Sequence, residues 1–385
     1  MTRLTFKVRR AWLVAALVSF WAAGCAPVAS SSSGLDSPRA PRARVEVQWR
    51  VPLSSDRPWE MNVREFGEPI IAPGGDLAVG AGDGVVYRLR ADSGELVWST
   101  DVGGSIDAAV ALSEGYLYAA TATGELHRLD WETGEVVWTV SARNALESSP
   151  AVGQGLVAVA DSADVLYAFD VVTGDLVWDY QRRQPDFFTV KGGGTPVFSG
   201  ARIFCGFSDG TLVSLFADSG EEEWTAYLGD DDSQEFGDVD LPVIDAGDVL
   251  YAVSYSGGVY AVEASSGALL WHQDIDSVAG LVQEGSWLLG AASTGRVFAL
   301  NAADGEVQWQ FRLSAEVSPV ALASTGPVLS VATASGPLYL LRTRDGLPMA
   351  KWDPSSGFQS APVFDSVRGY ALSNLGYLYG YRLAY

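Results

Sequence analysis

The sequence predicts an all-β chain folded as an eight-bladed β-propeller of four-stranded antiparallel blades, and three observations support this. An apolar strand, a Gly-containing turn and a strand bearing Trp recur along the chain at a period of about 40 residues, which is typical of propeller blades. The apolar strands alternate in the manner of half-buried β-strands. No segment keeps a helical period of 3.6 residues over three turns.

The repeat is most regular around its turns. Six Trp residues follow a turn glycine by four positions, and the pairs are Gly94/Trp98, Gly134/Trp138, Gly174/Trp178, Gly220/Trp224, Gly267/Trp271 and Gly305/Trp309. A seventh pair, Gly346/Trp352, is two residues wider. Glycine suits these turns because a short hairpin needs positive φ. We expect each Trp to cover a neighbouring blade, as part of the core and not as a ligand cage.

The two ends of the repeat predict how the ring closes. An eighth apolar strand, Leu378 to Tyr381, has no Trp strand after it, whereas Trp49 has no apolar strand before it. We therefore expect the strand from Val45 to Trp49 to complete the last blade. This pairing removes the exposed edges that an open array would leave.

The N-terminus reads as a targeting segment. Basic residues precede an apolar run from Ala11 to Ala23, which is too short to span a bilayer as a mature helix. Small residues directly before Cys25 resemble the lipobox of bacterial lipoproteins, and this resemblance implies lipidation of Cys25. The alternative is an ordinary secretory peptide with Cys25 as a bystander. We expect a signal peptide over 1–24, a disordered tether over 25–44 and the propeller over 45–385.

The charge restricts the partners. The chain has a formal net charge of −22, and about −26 without the four basic residues that precede Cys25. This charge argues against nucleic acid as a partner and against attraction by anionic lipid. Contact with the membrane is therefore expected through the lipid anchor and protein partners. Cys205 is expected to be a small buried strand residue.

The sequence gives no support for catalysis, and we predict neither a cofactor nor a metal. His127 and His272 are far apart, and His127 occupies a strand position that other repeats fill with Tyr or Phe. No His/Cys cluster has metal-ligand spacing. Acidic residues crowd between Asp230 and Asp240, where calcium is conceivable, but the spacing does not match an EF-hand loop. A solvated loop or a partner contact is the preferred interpretation.

Two neighbouring connections between blades are unusually long. Trp178 to Pro196 and Trp224 to Pro242 span 18 residues each, against 10 to 12 for three other connections. Both should lie on the same face, and long loops in a compact repeat are usually functional. The first carries Phe188, Val190 and Lys191, and the second carries Asp238 and Asp240, a composition typical of a protein-binding surface. Alternatively, Phe188 and Val190 plug the loop under its blade.

The repeat resembles the pyrroloquinoline-quinone-type propeller family over 45–385. Within it, three segments resemble the BamB family, the propeller lipoproteins of the β-barrel assembly machinery: 188–192 (Phe-Thr-Val-Lys-Gly), 238–240 (Asp-Val-Asp) and 355–359 (Ser-Ser-Gly-Phe-Gln). The resemblance implies a non-catalytic scaffold on the periplasmic face of the outer membrane. It also implies that Phe188, Val190, Lys191, Asp238 and Asp240 contact the central barrel subunit. Lys191 stands where the family usually has Arg, so bidentate pairing is lost.

Two other functions remain open at this point. One is a periplasmic quinoprotein-like dehydrogenase, although the chain is shorter than those enzymes and lacks their adjacent-cysteine pair. The other is a generic propeller that binds a sugar or peptide in its central funnel.

Overall fold

The computed structural model describes residues 43–53, 65–182, 194–229, 237–314, 317–365 and 368–384. These residues form 32 β-strands in eight four-stranded antiparallel sheets, which confirms the predicted propeller. None of them lies in an α-helix, and accordingly no helix among them is long and apolar enough to cross a membrane.

The first strand of the chain, β1 (Arg44–Pro52), belongs to the last blade, and blade 1 begins with the second strand. Blades 1 to 4 are formed in chain order by β2 (Ile70–Ile71), β3 (Asp76–Gly80), β4 (Val85–Arg90), β5 (Leu96–Asp101), β6 (Ala111–Ser113), β7 (Tyr116–Ala120), β8 (Glu125–Asp130), β9 (Val136–Ser141), β10 (Ala151–Gly153), β11 (Leu156–Ala160), β12 (Val165–Asp170), β13 (Leu176–Gln181), β14 (Val197–Ser199), β15 (Arg202–Gly206), β16 (Thr211–Phe216) and β17 (Glu222–Tyr227). Blades 5 to 8 are formed by β18 (Ile244–Asp245), β19 (Val249–Ser254), β20 (Gly258–Glu263), β21 (Leu269–Gln273), β22 (Val278–Glu284), β23 (Trp287–Ala292), β24 (Arg296–Asn301), β25 (Val307–Arg312), β26 (Pro319–Thr325), β27 (Val328–Thr333), β28 (Leu338–Arg342), β29 (Pro348–Trp352), β30 (Val363–Phe364), β31 (Arg368–Leu372), β32 (Tyr377–Ala384) and then β1.

The predicted closure of the ring is confirmed. β1 pairs antiparallel with β32, and the sheet order of blade 8 is β1-β32-β31-β30. The register runs from Arg44 opposite Ala384 to Pro52 opposite Tyr377. β1 begins one residue before the predicted boundary of the propeller, and the preceding Ala43 is also buried. Pairing across the chain ends leaves no blade with a missing outer strand.

Strand alternation gives the ring two distinct faces. Turns between the first and second strands of a blade, and between the third and fourth, lie on one face, here called the Gly-turn face, which includes Gly115 and Gly94. Turns between the second and third strands, and the connections between blades, lie on the opposite connection face, which includes Gly84 and Val239. β1 starts on the Gly-turn face at Arg44 and ends on the connection face, where Leu53 N donates to Gly376 O at 2.8 Å.

The Trp residues pack as expected. In blade 2, Gly134 has a φ of +75°, and a Cβ there would lie 2.7 Å from the ring of Trp98 in blade 1. The indole Nε1 of Trp98 donates to the carbonyl oxygen of Trp131 at 2.9 Å. The same contact between a Trp and the turn glycine of the next blade recurs at Trp49/Gly94, Trp138/Gly174, Trp178/Gly220, Trp224/Gly267, Trp271/Gly305 and Trp309/Gly346. Only glycine tolerates both the positive φ and the ring above it.

The seventh pair, Gly346/Trp352, departs from this repeat, although Trp352 still covers the neighbouring blade as expected. Ala350 occupies the repeat position, four residues after Gly346 and opposite Leu340. Trp352 lies two residues farther along β29 and packs on Tyr379 and Tyr381 of β32, with ring centroids 4.9 and 5.5 Å apart. The physical reason is that the third and fourth strands of blade 8 lie at opposite ends of the chain, so blade 8 has no turn glycine to receive an indole.

Candidate functional site

The predicted site residues divide between described and undescribed parts of the chain. Cys25, Phe188, Val190 and Lys191 lie outside the described residues, as do the acidic positions 230–232 and 235. Asp238 and Asp240 are described, in the connection between β17 and β18 on the connection face. The geometry of the site is therefore given by the bases of the two long connections.

The bases of the two connections touch. Gly194, which ends the first long connection, donates its N–H to Gly206 O at 3.1 Å. A Cβ at Gly194 would lie 2.8 Å from Val239 O in the second connection. The bases of the two long connections therefore lie together on the connection face at blade 4, and the shared face is what the sequence predicted.

The second connection is fastened between blades 4 and 5. Val239 N donates to Phe207 O of blade 4 at 3.2 Å, and Asp238 O accepts from Tyr255 N of blade 5 at 3.0 Å. The N–H of Ile106, Leu146 and Phe358 makes the same bond as that of Val239 at other blade boundaries. We call the backbone of 237–239 the strap. Its hydrogen bond to the preceding blade recurs at the other three boundaries, so only its side chains are particular to this connection.

Asp238 and Asp240 differ in their exposure. Asp238 is only 1% exposed, whereas Asp240 is half-buried. A partner that approaches the connection face can reach Asp240 but not the enclosed carboxylate of Asp238. The sequence left two roles open for these residues, partner contact and support of the loop. Burial therefore favours the support role for Asp238, and partner contact by Asp240 stays a prediction.

The start of the first long connection is held by polar contacts. The Arg182 guanidinium donates to Asp209 Oδ2 through Nε at 2.9 Å and forms an ion pair through Nη2 at 2.8 Å. The Tyr180 hydroxyl donates to Glu222 Oε2 at 2.6 Å, and this bond lowers the pKa of Glu222. Blades 3 and 4 are therefore joined by charged groups at the point where the long connection leaves β13.

Sequence reasoning missed Asp164, a buried acid beside this point. Asp164 has a φ of +57° in the turn between β11 and β12 and is 0% exposed. Its carboxylate accepts a hydrogen bond from the Ser208 hydroxyl of blade 4. Its carbonyl accepts from Arg182 N at 3.2 Å. Five other blades have glycine with positive φ at this turn position: Gly84, Gly124, Gly210, Gly295 and Gly376. Alignment of the turns would have revealed this exception.

The histidines and Cys205 are structural within the described chain. His127 lies in β8, as predicted, with Nδ1 2.9 Å from Thr139 Oγ1, and burial lowers its pKa. His272 stacks on Tyr260 at 4.2 Å between ring centroids. Cys205 is fully buried in β15, as predicted, and burial raises the pKa of its thiol. In the ranges that the structure describes, no three His, Cys, Asp or Glu side chains are grouped to hold a metal ion.

A cavity of about 480 Å³ lies among the inner strands of blades 1, 6, 7 and 8. Its lining is mostly apolar and includes Ile70, Val282, Leu322 and Phe364, together with Glu68 and Glu284. Glu284 Oε2 accepts from Ser324 Oγ at 2.8 Å. No Lys or Arg is found among the described residues of this lining. The cavity therefore presents apolar surface and negative charge.

Comparison with known proteins agrees with this architecture. A family model described as "Outer membrane protein assembly factor BamB" matches residues 82–311 and 293–381. The protein of that name from Legionella pneumophila (strain Paris) is 26% identical over 193 residues, 49% of this chain and 50% of the relative. The one from Xanthomonas campestris pv. campestris is 30% identical over 165 residues, 41% of this chain and 40% of the relative. These matches span half or less of each relative.

Solved structures extend the comparison to the whole ring. The crystal structure of BamB from Moraxella catarrhalis covers 88% of this chain and 100% of its own, with a TM-score of 0.76 at 20% identity. A quinohemoprotein alcohol dehydrogenase from Comamonas testosteroni covers 88% of this chain and 76% of its own, with a TM-score of 0.68 at 14% identity. At these identities both structures show the fold alone. The family is shown by the matched residues, and the chain belongs to the family of the outer membrane protein assembly factor BamB.

Proposed function

We propose that this chain is a non-catalytic scaffold lipoprotein of outer-membrane protein assembly. It is anchored by a lipid at Cys25 to the periplasmic side of the outer membrane. It binds the central barrel subunit of the assembly machinery through the connection face of blades 3 to 5. The observation that carries the proposal is the contact between Gly194 and Val239, because it brings together the bases of the two connections that resemble the partner-binding segments of the BamB family.

The proposed contact surface combines charge and apolar area. Lys191 supplies a cation for an acidic group of the partner, and Phe188 and Val190 supply apolar area beside it. Asp240 adds a half-buried carboxylate at the edge of the strap. Asp238 acts from inside, by holding the second connection in place.

A quinoprotein dehydrogenase is the competing function, and the cavity among blades 1, 6, 7 and 8 does not fit the quinone. Pyrroloquinoline quinone carries carboxylate groups, which need cationic partners in a partly buried site. Glu68 and Glu284 line the cavity instead. We therefore assign no redox chemistry to this cavity.

Pull-down of the barrel subunit from detergent extracts tests the proposal. Lys191→Glu should weaken recovery without changing Tm, because a cation that pairs with the partner and not within the fold contributes little to folding. Replacing Phe188 and Val190 together by Asp should weaken recovery further, because apolar contacts are lost and new charges must be desolvated.

The matched control is Glu135→Lys, a charge reversal at an exposed position on the opposite, Gly-turn face. It should leave recovery unchanged. Equal recovery of the partner by all variants would place the partner site elsewhere. Loss of recovery only in variants with a lowered Tm would return the two connections to a structural role.

A further inference from the structure

The outer strands of four consecutive blades expose apolar side chains near the Gly-turn face. We call this arc the apolar rim. Its members are Val47 in blade 8, Leu96 and Val97 in blade 1, Val136 and Val137 in blade 2, and Leu176 and Val177 in blade 3. Their exposed fractions lie between 38% and 50%. Single exposed apolar residues are ordinary, but an arc that continues over neighbouring blades is not.

A β-bulge produces each pair of exposed residues. In blade 1, Arg88 pairs with Trp98 while Leu89 pairs with Leu96, so Val97 is an extra residue in the outer strand. The same shift occurs in blades 2 and 3. A bulge breaks the alternation of the strand, and it lets two successive side chains face outward while the next residue, Trp, stays against the neighbouring blade.

The fold does not require apolar residues at these positions. Blade 4 has Glu222 and Glu223 there, with the same bulge. Blade 6 has Gln308 as its extra residue, and in blade 7 Met349 is buried. Blade 5 carries an apolar pair, Leu269 and Leu270, but its neighbours in blades 4 and 6 interrupt the surface. The apolar rim is therefore a property of blades 8, 1, 2 and 3.

The chain enters the fold at the same place. β1 is the outer strand of blade 8, and its first residue, Arg44, lies at the Gly-turn face. Val47 follows three residues later and is 41% exposed. Cys25 precedes Arg44 by 19 residues, so the segment that would carry a lipid on Cys25 joins the propeller at blade 8, where the apolar rim begins.

We propose that the apolar rim rests on the lipid surface to which the chain is anchored. This inference relies on the lipid anchor of the proposed function but not on the barrel subunit. In this orientation the Gly-turn side of blades 8, 1, 2 and 3 is toward the bilayer, and the connection face is open to a protein partner. Partial burial of Leu and Val at the headgroup boundary stabilises such a contact once the anchor has brought the surfaces together.

The charges next to the apolar rim specify the kind of lipid. Glu95, Glu135 and Asp175 are exposed and directly precede the pairs of blades 1, 2 and 3. An anionic bilayer repels these carboxylates, whereas a zwitterionic one does not. The surface that fits the apolar rim is therefore zwitterionic lipid.

Site-specific fluorescence on the mature, lipidated chain tests the proposal. An environment-sensitive probe is attached at Val97→Cys, at Val137→Cys, or at the control Leu270→Cys in blade 5. Cys205 does not compete for the label because it is fully buried. The proteins are reconstituted on phosphatidylcholine vesicles that contain brominated acyl chains. We expect blue-shifted emission at 97 and 137, with quenching at least about twofold stronger than at 270. Replacing half of the lipid by phosphatidylglycerol should reduce the quenching.

Each other outcome contradicts the proposal. Two outcomes contradict only the contact of the apolar rim with lipid. One is equal quenching at all three positions, and the other is no quenching at 97 and 137 in protein that floats with the vesicles. Failure of the mature chain to float with vesicles overturns both the anchor and the apolar rim. Failure of the barrel subunit to co-purify would leave these measurements unchanged, so the two proposals can be separated.

Discussion

Trp49 packs on Gly94, and this contact joins the first strand of the chain to the turn of blade 1. A Cβ at Gly94 would lie 2.7 Å from the Trp49 ring, and the indole Nε1 donates to Ala91 O at 3.1 Å. Trp49 lies in β1, which pairs with the last strand of the chain. One short segment therefore completes blade 8 and seals it against blade 1.

Truncation at the N-terminus should reveal this double role. A chain that begins at Trp49 loses the pairing of residues 44–47 with β32, whereas a chain that begins at Ala43 keeps all of it. Since each backbone hydrogen bond contributes about 1 kcal/mol, the shorter chain should melt several degrees lower. Equal melting temperatures in differential scanning calorimetry would contradict closure by β1.

The contact between turn glycine and indole can be isolated by a matched pair of substitutions. Gly134 and Gly115 both lie on the Gly-turn face of blade 2, with φ of +75° and +79°. A Cβ at Gly134 would lie 2.7 Å from Trp98, but nothing lies within 4 Å of one at Gly115. Both alanine variants carry the backbone cost of about 1 to 2 kcal/mol, so Gly134→Ala should be the less stable by the added cost of displacing the ring. Equal urea midpoints would show that the ring moves freely.

The ring was predictable because its causes are local and repeated. A turn glycine with positive φ and a Trp four residues later specify one blade boundary each, and the unmatched ends specify the closure. The exception at Trp352 was not predictable from spacing alone. Its position follows from the absence of a turn in blade 8, which is a relationship between distant parts of the chain. Ala350, the small residue in the repeat position, was the signal.

The candidate site was predictable only in part. Loop length and strand alternation predicted two long connections on one face, but spacing does not reveal which acid is buried. Asp238 and Asp240 look alike in sequence. The strap, which is hydrogen-bonded to Phe207 and Tyr255, encloses the carboxylate of Asp238 but leaves Asp240 half-buried. Asp164 was missed because its turn lies 44 residues before the Ser208 that it contacts.

His127 should make stability depend on pH. Burial lowers its pKa from 6.5, so the folded chain keeps the ring neutral where the unfolded chain binds a proton. The stability from this group is therefore present above pH 6.5 and falls as the pH drops below that value. Phe298 occupies the strand position in blade 6 that is equivalent to that of His127 in blade 2. His127→Phe should therefore reduce the loss of Tm between pH 7.5 and pH 5 relative to wild type. Identical losses in both proteins would contradict a neutral buried ring.

Asp164 offers a test of backbone strain against side-chain bonding. Both Asp164→Gly and Asp164→Ala remove the carboxylate that binds Ser208. Only the alanine variant keeps a Cβ at φ +57°, so it should be less stable than the glycine variant by about 1 kcal/mol. Urea denaturation measures both. Equal stability of the two variants would mean that the turn relaxes, and the buried bond to Ser208 would then account for the whole effect.

The two acids of the second connection should separate folding from binding. Asp238→Asn alters a carboxylate that is 1% exposed, so it should lower Tm and weaken the partner complex only as a consequence. Asp240→Asn alters a half-buried side chain at the edge of the strap, so it should change Tm little. It should weaken binding of the barrel subunit by about 1 kcal/mol or more, because a charged partner of the carboxylate is lost. Asp245→Asn, an exposed residue at the far end of β18, is the control and should change neither quantity. Tm is measured by calorimetry, and affinity is measured with the barrel subunit immobilised on a surface, on the same preparations.

Unchanged affinity for Asp240→Asn would remove this residue from the interface. A loss of affinity for Asp238→Asn at unchanged Tm would show that the partner reaches the enclosed carboxylate.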